Sequence, residues 1–228
     1  MTKCRCLIFD AGPLINFSMN GLLDGLEKLK ADFGGEFLIT KEVKEEIIDH
    51  PKTVKRFALG AIRLEELFNK GVFKLADLND EEVDELKRLR DDYMQKSNTM
   101  FKTKNKDVHL LDKGECAVLA LSTIMKRKSG DDVPIVIDER TTRIIIENPA
   151  NLKKLMEKKL HTKINPNTKT YDLFKGFKII RSTELAYIIH KKDLFKLKHP
   201  KAFEAIVYGL KFKGTSISEK EVQALSQM

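Results

Sequence analysis

The chain reads as an α/β protein built on a parallel central sheet, and three features predict it. Short apolar runs, Cys6-Leu7-Ile8-Phe9 and Pro134-Ile135-Val136-Ile137, have the composition of strands buried on both faces. Helical apolar patterns separate such runs, and this alternation implies right-handed crossovers and parallel pairing. Both runs close on an aspartate, Asp10 and Asp138, and ligands of open α/β sheets bind outside the carboxyl ends of the strands.

The elements follow in order. Gly12 and Pro13 break the first strand, and Leu14, Ile15 and Phe17 open a helix. Leu22, Leu23, Leu26 and Leu29 recur at helical spacing until Gly34-Gly35 stops them. Glu36–Ile39 is a second strand, and Thr40 caps a helix over 42–48 that His50-Pro51 ends. Apolar spacing predicts a helix over 54–69 and a short strand over 72–75. Asn79 or Asp80 caps an acidic-to-basic helix reaching about Tyr93, a charge order the helix dipole favours. Residues 95–106 are polar, basic and aperiodic, the signature of a mobile loop. An apolar helix runs from about Asp112 to Arg127, and another begins after Asp138. Residues 148–170 combine a lysine-rich helix with a polar connection. Phe177–Ile180 is a last strand, with Ser182 or Thr183 capping the helix after it. Residues 191–228 read as a basic helical extension to a domain spanning 1–190, with Phe203, Ile206, Val207 and Leu210 at helical spacing.

With 228 residues the chain has ample material for a core. No apolar run approaches membrane-spanning length. Three cysteines point to a reducing cytoplasm rather than to a disulfide framework. Cys4-x-Cys6 has no second Cys or His pair to complete a metal site and reads as buried thiols. The net charge of +8 is uneven: residues 150–228 hold 17 Lys/Arg against 7 Asp/Glu, whereas residues 1–149 hold 25 against 27. A polyanion held by one part and an acidic site in the other would produce such asymmetry; so would a lysine-rich solvated surface.

Most acids fall on exposed helix faces, but four sit at junctions. Asp10 and Asp138 close strands, Glu46 precedes inward-facing Ile47, and Glu115 is embedded in an apolar helix after Gly114. Ile8-Phe9-Asp10-Ala11-Gly12-Pro13-Leu14-Ile15-Asn16, Thr40–Ile47, Gly114–Leu121 and Ile137–Arg143 together resemble, in order, the PIN-domain family of metal-dependent nucleases. The resemblance covers residues 4 to about 190. It implies a three-layer α/β/α sandwich and an acidic quartet at Asp10, Glu46, Glu115 and Asp138, with Asp10, Glu115 and Asp138 as ligands of Mg²⁺ or Mn²⁺. Asn16 and Thr183 would line the same pocket. Lys102, Lys104, Lys106, Arg140 and Arg143 are the candidate RNA contacts. Ala11 departs from the small hydroxyl residue frequent after the first aspartate. Glu45 competes with Glu46, and Glu139 with Asp138, for the inward position.

The physical case stands beside the resemblance. Like unit charges about 4 Å apart repel by roughly 4 kcal/mol at an effective dielectric of 20, so converging carboxylates need protons or a cation. Oxygen-only ligands select hard Mg²⁺ or Mn²⁺, which bind phosphate oxygens and activate water. The activity that the resemblance implies is endoribonucleolytic, in RNA processing or as a toxin-type nuclease. An antitoxin, an RNA-processing protein and a homodimer partner are all compatible with the residues. A haloacid-dehalogenase-type phosphatase would need a second Asp where Gly12 stands, and neither Gly-x-Gly-x-x-Gly nor Gly-Lys-Ser/Thr is present. The rival reading is a PIN-like module that binds RNA or protein and cleaves nothing.

Overall fold

The computed structural model describes residues 5–104 and 106–227. Strand β1 (Cys6–Phe9) is buried along its whole length, as a strand covered on both faces must be. Asp10 caps helix α1 (Ala11–Met19), and α2 (Leu23–Phe33) ends on left-handed Gly34. Strand β2 (Glu36–Ile39) follows Gly35, where any Cβ would lie 2.3 Å from the Arg5 carbonyl oxygen. That close approach lets the Glu36 N–H donate to the same carbonyl at 2.8 Å. Thr40 caps α3 (Lys41–Lys44), accepting from the Val43 N–H, and the helix continues as a π-helical turn over Glu45–Asp49.

Helix α4 (Ala58–Asn69) starts four residues later than its apolar spacing predicts, because a 3₁₀ turn at Pro51–Thr53 and a further turn occupy the interval. Strand β3 (Lys74–Leu75) leads to α5 (Asp80–Asn98), which opens with a reciprocal box between Asn79 and Glu82. The chain goes on through β4 (Phe101–Lys102), α6 (Lys113–Ser129), β5 (Ile135–Val136), α7 (Arg140–Glu147) and α8 (Pro149–Leu160). Then come β6 (Asn165–Pro166), a 3₁₀ turn (Thr168–Phe174), β7 (Ile179–Ile180), α9 (Ser182–Lys191), α10 (Ala202–Phe212) and α11 (Glu219–Gln227).

Five strands form a parallel sheet in the order β3-β2-β1-β5-β7. The chain builds outward from β1 through β2 and β3, then crosses back to place β5 on the other side of β1. The switch point thus lies between β1 and β5, the crevice where such sheets bind ligands. The fold is α/β, consistent with the three-layer arrangement. Phe9 anchors the core, its ring 5.0 Å from Phe37 and 5.5 Å from Phe73.

Two expectations are corrected. Residues 95–106, read as a loop, complete α5 and then pair β4 with β6 in a two-stranded antiparallel sheet. The local pattern hid this because Met100 and Phe101 are the only fully buried apolar side chains among polar neighbours there; Asn105 lies outside the described residues. Neither Ser182 nor Thr183 caps α9: the N-cap is Arg181, whose N–H donates to Glu184 Oε2 at 2.8 Å. The segment after 191 is helical, as two helices, α10 and α11, joined by a turn. Within it, Ile206 and Leu210 join the main core, while Phe203, Val207, Ile217 and Val222 form a smaller cluster. Cys4 lies outside the described residues, and Cys6 is buried.

Part of the basic surplus is met inside the molecule: Lys192 pairs with Asp32 at 2.7 Å, and Lys196 pairs with Asp24. No helix among the described residues is long and apolar enough to cross a membrane.

Candidate carboxylate site

Strand ends and helix starts bring the four acids to the switch point. Asp10 follows β1, and its N–H still belongs to the sheet, donating to the Val136 carbonyl at 2.9 Å. Asp138 lies just beyond β5, the neighbouring strand. Gly12 stands between them: a Cβ there would be 3.7 Å from Asp10 Oδ2 and 3.8 Å from Asp138 Cβ, so any larger residue would fill the gap. Glu115 occupies the first turn of α6, and Glu46 lies on the π-helical turn after α3. A Cβ on Gly114 would sit 3.3 Å from Glu46 Oε2, so this glycine gives the Glu46 carboxylate its room. Both glutamates therefore collect at the N-terminal end of α6, where the helix dipole favours negative charge.

Burial and repulsion raise the proton affinity of Asp10, Glu46 and Glu115. Asp10, 6% exposed, has its pKa pushed up to about 7, first by burial and then by Glu46 and Asp138; the Ala11 and Gly12 amides oppose the rise. Glu115 is pushed up to about 8 by burial, then by Asp10 and Glu139. Glu46 is raised by desolvation and by Asp112, although much of its side chain stays exposed at the rim. Asp10 is thus coupled to both neighbours of the switch point, and Glu115 to Asp10. Glu45 is exposed and outside this set. Glu139 is also exposed, and it caps α7 through the Thr142 N–H at 2.8 Å.

Each buried carboxylate is held by donors that leave lone pairs open. Glu115 Oε1 accepts from Thr142 Oγ1 at 2.7 Å, and Oε2 accepts from the Asp112 N–H at 2.8 Å. Asp138 Oδ1 accepts from the Ser182 N–H at 2.8 Å, so this aspartate fills the cap position that Ser182 and Thr183 leave. Asp138 Oδ2 accepts from Asn16 Nδ2 at 2.7 Å and from Thr215 Oγ1 at 3.0 Å. A carboxylate offers about four acceptor positions, so two remain on Glu115 and one on Asp138. Asp10 spends one weakly, on the Gly12 N–H at 3.5 Å.

Asn16 is thus brought against Asp138. Thr183 is fully buried, and its hydroxyl has no hydrogen-bond partner among the described residues; its neighbour Ser182 makes the contact to Asp138. Arg143 is turned to the C-terminal segment, donating to the Ser216 carbonyl at 3.1 Å, and approaches Glu147. Arg140, Lys104 and Lys106 are exposed, and Lys102 pairs with Asp107 at 3.4 Å. The sequence gives Thr142 and Thr215 no role, and Ser182 only that of a candidate helix cap. Of the two threonines, Thr142 alone had a local signal, a hydroxyl at a helix start within the matched 137–143 stretch.

The donor set tests as oxygen-only, buried, self-repelling and incompletely satisfied, which suits a hard divalent cation. Among the described residues, however, no three His, Cys, Asp or Glu side chains are arranged to hold one ion. Cys116 is no alternative nucleophile, since burial, aided by Glu115, pushes its thiol up to about 12. In comparisons with known proteins, no family model, curated protein or solved structure matches the chain.

Proposed function

We propose that the chain is a PIN-like, metal-dependent endoribonuclease. The observation that carries this reading is the convergence of Asp10, Glu46, Glu115 and Asp138 at the switch point of the sheet, with Asp10 and Glu115 raised to about 7 and 8. Buried acids so placed hold protons at neutral pH or share a cation. Asp10, Glu115 and Asp138, which do not surround a single point without the ion, would have to close on Mg²⁺ or Mn²⁺ through their open lone pairs, with Glu46 at the rim. When bound, the ion would supply a Lewis acid toward a phosphate oxygen and a more acidic water.

The chain's own residues would do the rest. Asn16, Thr142 and Ser182 orient the acids. Glu46, exposed and raised, is the group available to take a proton from an incoming water. Lys102 lies in β4, with Lys104 and Lys106 just after it, and β4 pairs with β6, two residues beyond Lys163; α8 adds exposed Lys154, Lys158 and Lys159. This surface would meet the phosphate backbone and leave base readout weak.

A second reading, an RNA- or protein-binding module without catalysis, is favoured by one observation: Asp138 spends three of its four acceptor positions within the protein. Incubation with single-stranded and structured RNA separates the two. The nuclease reading expects cleavage with Mn²⁺, none in EDTA, and at least a hundredfold loss in Asp10→Asn. Tight RNA binding without cleavage under all conditions would favour the module.

A further inference from the structure

Thr215 lies in the turn between α10 and α11, beyond the stretch that resembles the nuclease family, yet it is buried at the switch point. Its hydroxyl contacts Asp138 Oδ2 at 3.0 Å, Asn16 Nδ2 at 3.3 Å and Ser182 Oγ at 2.6 Å. The carboxylate can only accept and the amide nitrogen can only donate. The single Thr215 proton therefore goes to Asp138, and Ser182 donates its own proton to Thr215. One hydroxyl thus closes a network joining β5, α1, α9 and the C-terminal segment.

Two further features hold the segment in place. Gly214, at φ +123°, adopts a backbone conformation closed to other residues as the chain leaves α10. Arg143 and Arg181 both donate to the Ser216 carbonyl, at 3.1 and 3.2 Å, and Arg181 also binds Glu221 Oε1 at 2.8 Å. Two guanidinium groups from separate helix starts thereby lock the residue after Thr215. Buried hydroxyl, glycine turn and double arginine clamp all serve one end: fixing an oxygen of Asp138.

We propose that Thr215 is a positioning residue for Asp138, so that the C-terminal segment completes the carboxylate site rather than standing apart from it. With Oδ2 saturated by Asn16 and Thr215, the lone pair left on Asp138 belongs to Oδ1. Partners of this outer kind orient ligating carboxylates, and their removal typically weakens metal binding 10–100-fold. The role rests on the metal-site reading above; the contact itself does not.

The test uses the full chain with Thr215→Val, which keeps the shape and removes the hydroxyl, and Thr215→Ser, which keeps the hydroxyl. Mn²⁺ affinity is measured by calorimetry, and stability by urea unfolding without metal. We expect Thr215→Val to weaken Mn²⁺ about tenfold, Thr215→Ser to stay within about threefold of wild type, and the effect of Val to vanish in an Asp138→Asn background. In metal-free protein, Thr215→Val and Asp138→Asn should be non-additive. Wild-type Mn²⁺ binding with unchanged affinity in Thr215→Val overturns the positioning role while leaving the metal site standing. A wild type that binds no Mn²⁺ refutes the metal-site reading and the role with it, whatever the unfolding data show. Should Thr215→Val fail to fold, Thr215→Ala removes the same hydroxyl with less bulk, and unchanged Mn²⁺ affinity there overturns the role.

Discussion

Replacing Asp10 by Asn should stabilise the metal-free protein, and by more as the pH rises. In the fold Asp10 titrates near 7 instead of at its ordinary 3.8. Between those values the unfolded chain has lost this proton and the folded chain keeps it, so stability falls as pH rises, by about 1.4 kcal/mol per pH unit. The loss reaches about 4 kcal/mol near pH 7 and then levels off, a large fraction of the 5–15 kcal/mol that domains of this kind retain. Asn caps a helix as well as Asp does, so the variant keeps the capping role at α1 while removing the charge. Urea unfolding in EDTA should show Asp10→Asn more stable by about 2 kcal/mol at pH 5 and about 4 kcal/mol at pH 8. A variant less stable than wild type at pH 8, or a difference independent of pH, would refute the argument that Asp10 is a forced buried charge.

Other consequences are independent of that one. Thr142→Val removes the donor to Glu115 Oε1; it should cost about 1–3 kcal/mol in metal-free protein above pH 8 and less near pH 5, where Glu115 is protonated. Phe101→Ala should cost about 3–5 kcal/mol in a melting experiment, because the ring is fully buried and lies 6.2 Å from Tyr171; a loop residue would cost almost nothing. Lys102, Lys104 and Lys106 changed together to Gln should flatten the log–log salt dependence of single-stranded RNA binding by about 2, at about 0.7 per phosphate contact; an unaltered slope places the RNA elsewhere.

The sheet and the strand-terminal acids were legible because their signals are local. An apolar run ending in Asp10 is visible in ten residues, and Thr40 and Asn79 act on backbone three positions away. What Thr215 does depends on a contact 77 residues away in sequence, and a hydroxyl in a polar turn carries no periodic trace of it. Residues 95–106 misled for the opposite reason: polar composition signalled a loop, while two buried side chains and pairing with Asn165–Pro166 gave the segment order. The charge surplus of the C-terminal third overstated its free positive surface, since Asp24 and Asp32 of the N-terminal part take up some of it. The site's centre could be read from the sequence, but the partners that orient it could not.

The central claim is that four acids at the switch point of the sheet form a cation site. It is tested most directly by the melting temperatures of wild type and Asp10→Asn at neutral pH, with and without Mn²⁺. A hundredfold excess of Mn²⁺ over its Kd should stabilise wild type by about 2.7 kcal/mol. The variant should start higher and respond little. A wild type indifferent to Mn²⁺, together with an Asn variant that melts lower, would contradict the claim and leave Asp10 as the cap of α1.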